Sequence, residues 1–171
     1  MRGKSIVLIG FMGAGKSSTG AALAKQTGLP RFDTDELVSK RLGLAVPEIF
    51  KTLGEEAFRD SETRALSGLA NSETGIIITG GGIVLRPDNV KMLRTLGTVV
   101  FLETNVETLF RRVSEGAPRP LLQSENPRST LQELLRVREP LYREAADMQV
   151  DTTTLTPNEV ADSIVRSLAQ L

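Results

Sequence analysis

Short runs of consecutive apolar residues alternate along this chain with longer stretches in which apolar positions recur every three or four residues. Ile6-Val7-Leu8-Ile9, Ile76-Ile77-Ile78 and Val99-Val100-Phe101-Leu102 are such runs. Unbroken apolar runs of this length mark strands covered on both faces, and their alternation with helix-period segments marks βαβ units around a parallel sheet. The pattern predicts strands at 5–9, about 29–33, 75–79, 97–102 and 147–151. It predicts helices near 16–27, 34–42, 46–52, 55–70, 87–95, 105–114, 129–146 and 157–170. Gly28 and Gly97 stand where helices stop, and Pro87 and Pro157 where they start. The expected fold is α/β, three α-β-α layers around a five-stranded parallel sheet. One stretch lacks periodicity: Gly116-Ala117-Pro118-Arg119-Pro120, continuing to Pro127, carries three prolines and reads as a surface loop able to close over a site. No internal repeat, low-complexity tract or linker divides the 171 residues, so 1–171 is expected to be a single domain.

Composition narrows the chemistry by exclusion. Lys and Arg number 21 and Asp and Glu 21, so there is no overall basic field to draw in nucleic acid or an anionic membrane, and neither partner is expected. There is no Cys, which removes thiolate nucleophiles, disulfides, Fe–S clusters and zinc fingers. There is no His, which removes Ser-His-Asp and Cys-His catalysis. Acids and bases are left to carboxylates, Lys or Tyr, and a bound metal to a hard, oxygen-liking ion such as Mg²⁺. The apolar runs fall far short of the roughly 18 residues of a spanning helix, and no signal-peptide core is present, so a cytoplasmic location is expected.

Gly10-Phe11-Met12-Gly13-Ala14-Gly15-Lys16-Ser17 is G-x-x-x-x-G-K-S, placed directly after the first predicted strand and opening the first predicted helix. Glycines let the backbone wrap a phosphate chain with its N–H groups inward, and the helix N-terminus adds positive partial charge. Lys16 reaches the β- and γ-phosphates and the Ser17 hydroxyl is placed for Mg²⁺, which makes Gly13 to Ser18 the expected ATP-binding stretch. Neither D-x-x-G nor N-K-x-D occurs, so the chain does not read as a GTPase. The strand at 75–79 runs into Thr79-Gly80-Gly81-Gly82 with no carboxylate where a Walker B acid stands, which points to small-molecule kinases.

Three further groups surround that motif. Asp33 and Asp35, two apart at the end of the second strand, share one face if the chain is extended there. They are candidates to organise Mg²⁺ and to take the proton of an acceptor hydroxyl, although either one could simply cap the following helix. Gly80-Gly81-Gly82 is either a tight turn or a place where a substrate or phosphate approaches the backbone closely. Among the arginines, Arg59 has Glu62 one turn on as an intrahelical partner, worth ~0.2–0.5 kcal/mol. Arg119 lies amid prolines, where a guanidinium can neutralise a transferring phosphoryl group or merely face solvent, and Arg138 precedes Glu139-Pro140-Leu141-Tyr142.

Taken together these motifs resemble the shikimate kinase family over the whole chain. The matching features are the P-loop at 10–17, Phe32-Asp33-Thr34-Asp35, Phe58-Arg59, Thr79-Gly80-Gly81-Gly82, Arg119-Pro120-Leu121-Leu122 and Arg138-Glu139-Pro140-Leu141-Tyr142. The resemblance implies a P-loop kinase fold with a mobile lid at about 113–127, acting as a monomer on ATP and shikimate with Mg²⁺. It implies catalytic roles for Lys16, Asp35 and Arg119, and a Mg²⁺ site at Ser17 with Asp33 acting through water. It further implies substrate contacts from Asp35, Arg59, Arg138 and Gly80 to Gly82, with Arg112 (or Arg111) and Pro157 flanking the adenine. The Glu-Gly-Ala-Pro segment at 115–118 is less polar than the family's lid pattern. Two other readings remain at this point: a kinase for another polyol acid such as gluconate, and a silent ligand-sensing domain. Retention of Lys16, Asp35 and Arg119 together argues against the second.

Overall fold

A computed structural model describes residues 5–116 and 119–170. β1 (Ser5–Ile9) is buried at every position, as befits a strand with neighbours on both edges and helices on both faces. β3 (Ile76–Ile78) pairs with it on one side and β4 (Gly97–Glu103) on the other, both parallel. β2 (Arg31–Asp33) and β5 (Met148–Asp151) complete a five-stranded parallel sheet in the order β2-β3-β1-β4-β5. α1 (Lys16–Thr27) and α8 (Pro157–Leu168) cover one face; α5 (Pro87–Leu96) and α7 (Pro127–Ala145) cover the other. α2 (Thr34–Leu42), α3 (Val46–Thr52) and α4 (Gly54–Leu69) pack on one another around Val38, Ile49 and Phe58, a satellite core beside the main one. α6 (Val106–Ser114) leads into the stretch that contains Arg119.

Differences from the predicted bounds have local causes. β2 begins at Arg31 rather than 29, because Pro30 has no N–H to give the ladder and contributes only its carbonyl, to the Ile76 amide at 2.8 Å. α7 begins at Pro127, two residues before 129, where the Asn126 side chain accepts the Ser129 amide and Pro127 needs no partner for its nitrogen. Short 3₁₀ turns at Ile83–Leu85 and Pro120–Leu122 were not anticipated, being too brief for a period to show. Pro87 and Pro157 open their helices as expected, and Thr156 and Glu159 add a reciprocal cap to α8.

The two helix-stopping glycines do different jobs. Gly28 ends α1 with φ 72° and nothing within 4 Å of where a Cβ would stand. Gly97 also follows a helix, but its φ of 177° is ordinary extended backbone; a Cβ there would run into the carbonyl of Ser5 on β1. Gly97→Ala is therefore expected to cost about 3 kcal/mol by forcing two paired strands apart, against ~1 kcal/mol for Gly28→Ala, where only backbone conformation is strained. Urea denaturation of the two variants checks the order, and equal losses would place the Gly97 constraint elsewhere.

Candidate active site

The loop between β1 and α1 is built on Gly10, Gly13 and Gly15, all with positive φ (147°, 83° and 93°) that L side chains rarely adopt. It delivers the chain to α1 with Gly15 as N-cap, no side chain bonded to the first-turn amides and no acidic residue there. The amides and the positive end of the helix are left for an anion. Lys16 Nζ curls back to donate to the carbonyls of Gly10 at 2.7 Å and Phe11 at 3.0 Å. Burial pulls its pKa down to about 8, with Arg119 and Arg138 pushing the same way and Asp35 and Asp33 opposing.

Lys16, Ser17, Asp33, Asp35, Gly80, Gly81 and Arg119 line one cleft of about 240 Å³ at the carboxyl ends of the strands. There the two aspartates divide their work. Asp33 Oδ1 accepts the amides of Asp35 at 2.9 Å and Glu36 at 3.4 Å, so the capping alternative holds for Asp33, which nonetheless faces the cleft. Asp35 is not in extended chain, as the spacing argument assumed, but in the first turn of α2; the helix rather than the strand aims it at the cleft. Its Oδ1 is buried without a hydrogen-bond partner among the described residues. Burial and then the neighbouring Asp33 charge raise its pKa, against Lys16, Arg59 and Arg119.

The cleft continues past Gly81 into a second, more apolar space walled by Phe50, Phe58 and Leu121 and carrying Arg59, Arg119 and Arg138. Arg59 is 6 % exposed and Arg138 3 %. The Arg59–Glu62 contact is not the weak surface pair that the spacing suggested. Glu62 is 0 % exposed, its Oε2 lies 2.5 Å from Arg59 Nη1, and Glu55 holds the same guanidinium at 2.9 Å. Glu62 Oε1, like Asp35 Oδ1, has no hydrogen-bond partner among the described residues, and a Cβ on Gly80 would collide with both oxygens. A Cβ on Gly82 would strike the Arg59 guanidinium. None of the three glycines has a positive φ, so they serve close approach rather than a turn conformation.

A third space adjoins the P-loop on its other side, lined by Gly15, Ser18, Arg112, Leu155, Pro157 and Val160 among others. Arg112 donates to the carbonyls of Gly13 at 3.2 Å and Thr152 at 3.1 Å, and Thr152 Oγ1 donates to the Ala14 carbonyl at 3.1 Å. The candidate residues, with Arg112 rather than Arg111, line three adjoining spaces that share Asp35, Gly80, Gly81 and Arg119 on one side and Gly15 and Ser18 on the other. Ala117 and Pro118, half of the 115–118 segment flagged as unusual, lie outside the described residues. Sequence reasoning missed Thr34, whose hydroxyl accepts the Gly80 amide at 3.0 Å, together with Thr152 and the burial of Glu62. Only the motif setting of Thr34 could have signalled its role.

The family model for shikimate kinase matches residues 12–169. A shikimate kinase of Thioalkalivibrio sulfidiphilus is 47% identical over 162 residues, 95% of this chain and 85% of that one. One of Thermodesulfovibrio yellowstonii is 44% identical, covering 98% and 96%. Among solved structures, the shikimate kinase from Acinetobacter baumannii in complex with shikimate superposes with a TM-score of 0.94 at 36% identity, covering 98% of this chain and 94% of that one.

The lowered pKa of Lys16 has two consequences of opposite sign. A lysine held at about 8 in the folded protein against 10.5 when free disfavours folding while charged, so its contribution to stability improves as pH rises from about 8 toward 10.5. Binding of a nucleoside triphosphate needs the charged form, so its Kd is expected to be level below pH 7 and to rise up to about tenfold per unit above pH 8. Calorimetric titration from pH 6.5 to 9.5 checks this. A flat profile would mean that the Lys16 charge is not what the phosphates meet.

Proposed function

The chain belongs to the shikimate kinase family, and on that premise we propose that it transfers the γ-phosphoryl group of Mg-ATP to the 3-hydroxyl of shikimate, giving shikimate 3-phosphate and ADP for aromatic amino-acid biosynthesis. The observation that carries the reading is one groove in which an uncapped helix N-terminus, an unpartnered buried oxygen on Asp35 and two buried arginines follow one another. Residues 1–171 are read as one kinase domain with its lid at about 113–127. The chain is read as acting as a monomer, and small soluble substrates fit a cytoplasmic setting.

In this reading the backbone from Gly13 to Ser18 and the Lys16 ammonium bind the β- and γ-phosphates. Among the described residues no three acidic side chains converge as a metal cage. Ser17, whose hydroxyl has no partner among the described residues, and Asp33, with one oxygen spent on amides, offer the hard oxygens that Mg²⁺ accepts alongside phosphate. When bound, Mg²⁺ supplies neutralisation of the triphosphate charge. Asp33 would act through water. Arg112 and Pro157 flank the adenine on the far side of the loop.

Arg59 and Arg138 match a carboxylate with their planar forks, while Asp35 and the amides of Gly80 to Gly82 suit ring hydroxyls. Asp35 Oδ1 accepts the hydrogen of the acceptor hydroxyl and so aligns its oxygen with the γ-phosphorus. Its pKa, raised by burial, favours receiving that proton as the new P–O bond forms and ADP leaves. Arg119 offsets charge on the transferring group. The apolar wall of Phe50, Phe58 and Leu121 suits a flat carbocycle better than an open-chain polyol.

ADP release with Mg-ATP, measured with shikimate and in parallel with gluconate, tests the assignment: release with shikimate alone, lost in Lys16→Ala, is expected. Release with gluconate alone would move the specificity, and none with either, despite ATP binding, would favour a sensor. Asp35→Asn is expected to lower kcat by about 10²–10⁴ while ATP affinity stays within about twofold. Unchanged kcat would remove Asp35 from the chemistry.

A further inference from the structure

Four successive peptide groups run through the glycine turn below Arg59, and three of them are tied by Thr34 or by the backbone of the 3₁₀ turn that follows. The Gly80 amide donates to Thr34 Oγ1 at 3.0 Å, the Gly80 carbonyl accepts from Ile83 at 3.2 Å, and the Gly82 carbonyl accepts from Leu85 at 3.1 Å. The peptide between Gly81 and Gly82 is held otherwise. Its carbonyl takes a short hydrogen bond from the Tyr142 hydroxyl, reaching across from α7, and has no other partner among the described residues. Packing does not pin its Gly81 side either: a Cβ on Gly81 would meet nothing closer than 3.4 Å. Arg59 closes the Gly82 side of this peptide, where a Cβ would strike its guanidinium, so on the open Gly81 side the hydroxyl is what fixes the carbonyl.

The peptide bonds here are trans, so fixing the Gly81 carbonyl toward Tyr142 turns the Gly82 N–H the opposite way. The N–H groups of Gly81 and Gly82 have no protein acceptor among the described residues, and both glycines line the space that holds Arg59 and Arg138. The peg itself is rigid. Tyr142 is 0 % exposed, its ring stacks on Phe101 at 5.2 Å, and the Arg138 guanidinium, one helical turn back on α7, lies beside its oxygen. Burial holds the phenol well above its ordinary pKa, so it remains a neutral donor throughout the working range.

We propose that Tyr142 is a positioning residue for the acceptor substrate: its hydroxyl locks the Gly81–Gly82 peptide so that the free glycine amides and Arg138 face the same bound carboxylate or hydroxyl. The proposal rests on the shikimate kinase reading for the identity of that substrate, but the lock itself belongs to the free protein. It also comes with its own probe. Tyr142 is the only tyrosine and there is no tryptophan, so replacing tyrosine by 3-fluorotyrosine throughout the protein labels this site alone.

Tyr142→Phe keeps the ring and its stacking and removes only the hydroxyl. The expected result is a KM for shikimate raised about tenfold, with kcat and the KM for ATP within about twofold. The fluorotyrosine protein, which keeps the donor, is expected to retain the original KM, and its ¹⁹F resonance to move on addition of shikimate. In the ligand-free protein, the ¹H–¹⁵N signal of Gly82 is expected to move in Tyr142→Phe. An unchanged KM for shikimate, or a proportional loss in kcat and both KM values together with a lowered Tm, would overturn the positioning role. If the unaltered protein shows no shikimate-dependent turnover, the functional reading fails separately, and an unmoved Gly82 signal would then overturn the lock by itself.

Discussion

Arg59 and Glu62 lie against each other with almost no access to water, 2.5 Å apart at their nearest atoms, and much of the acceptor half of the groove is arranged around them. A pair buried this deeply gains little net stability, because desolvation offsets attraction, yet loss of one partner leaves a charge stranded at a cost of about 3–5 kcal/mol. Their presence therefore constrains what surrounds them. Gly80 and Gly82 have no side chains because Glu62 and Arg59 occupy that room. Phe58 and Phe50 lie 5.3 Å and 6.0 Å from the guanidinium, presenting ring faces to a cation that cannot be hydrated. Glu55 supplies a second anchor from the preceding turn. The guanidinium is thereby held in one orientation before any substrate arrives, which spares binding the entropy of ordering a long side chain.

Sheet order distributes the rest. With β1 central and β3 and β4 on opposite edges of it, chain connections leave in both directions from the P-loop, and a crevice opens at the carboxyl ends of the strands. The β2–β3 side brings Asp33, Asp35 and the glycine turn; the β4–β5 side brings Arg112 and Thr152. On the proposed function, phosphates take the middle, the acceptor one flank and the adenine the other. Contacts across the loop couple the flanks to that centre: Arg112 and Thr152 hold the carbonyls of Gly13 and Ala14 from one side, and Lys16 holds those of Gly10 and Phe11 from within.

How legible this was depended on whether a residue's role is local. The P-loop could be read because strand, glycines, lysine and helix start are consecutive, and the strands because their apolar runs are continuous. Asp33 and Asp35 were legible as a pair, but not the geometry that separates one as a helix cap and leaves the other with a free oxygen. Glu62 looked like the partner of a surface arginine because sequence spacing is the same whether a helix face meets water or a neighbouring turn; only the packing of α4 over the glycine turn decides. Gly97 is the converse. Its place after a helix suggested a stop signal, whereas a backbone approach from Ser5, 92 residues earlier in the chain, is what demands glycine. Thr152 and Tyr142 act on backbone carbonyls more than 60 residues away, and no local pattern announces such bonds.

The charge arithmetic shows the same distinction between whole chain and site. Twenty-one basic and 21 acidic residues cancel over the whole chain. Within the groove the balance is different. Arg59 is spoken for by Glu62, leaving Lys16, Arg119 and Arg138 against Asp33 and Asp35, with the uncapped end of α1 adding further positive potential. Burial amplifies that surplus, because charges out of water are screened less. Desolvation is the largest cause at both groups: Lys16 binds its proton less tightly, and Asp35 binds its own more tightly although the neighbouring cations oppose that shift. Both shifts ease the cost of an empty site, and the arrival of phosphate and carboxylate charge acts directly on the same groups. A neutral protein can thus present a strongly selective anion site, provided that the compensating acids are kept on its outer surface and the few buried ones are placed where a hydroxyl must bind.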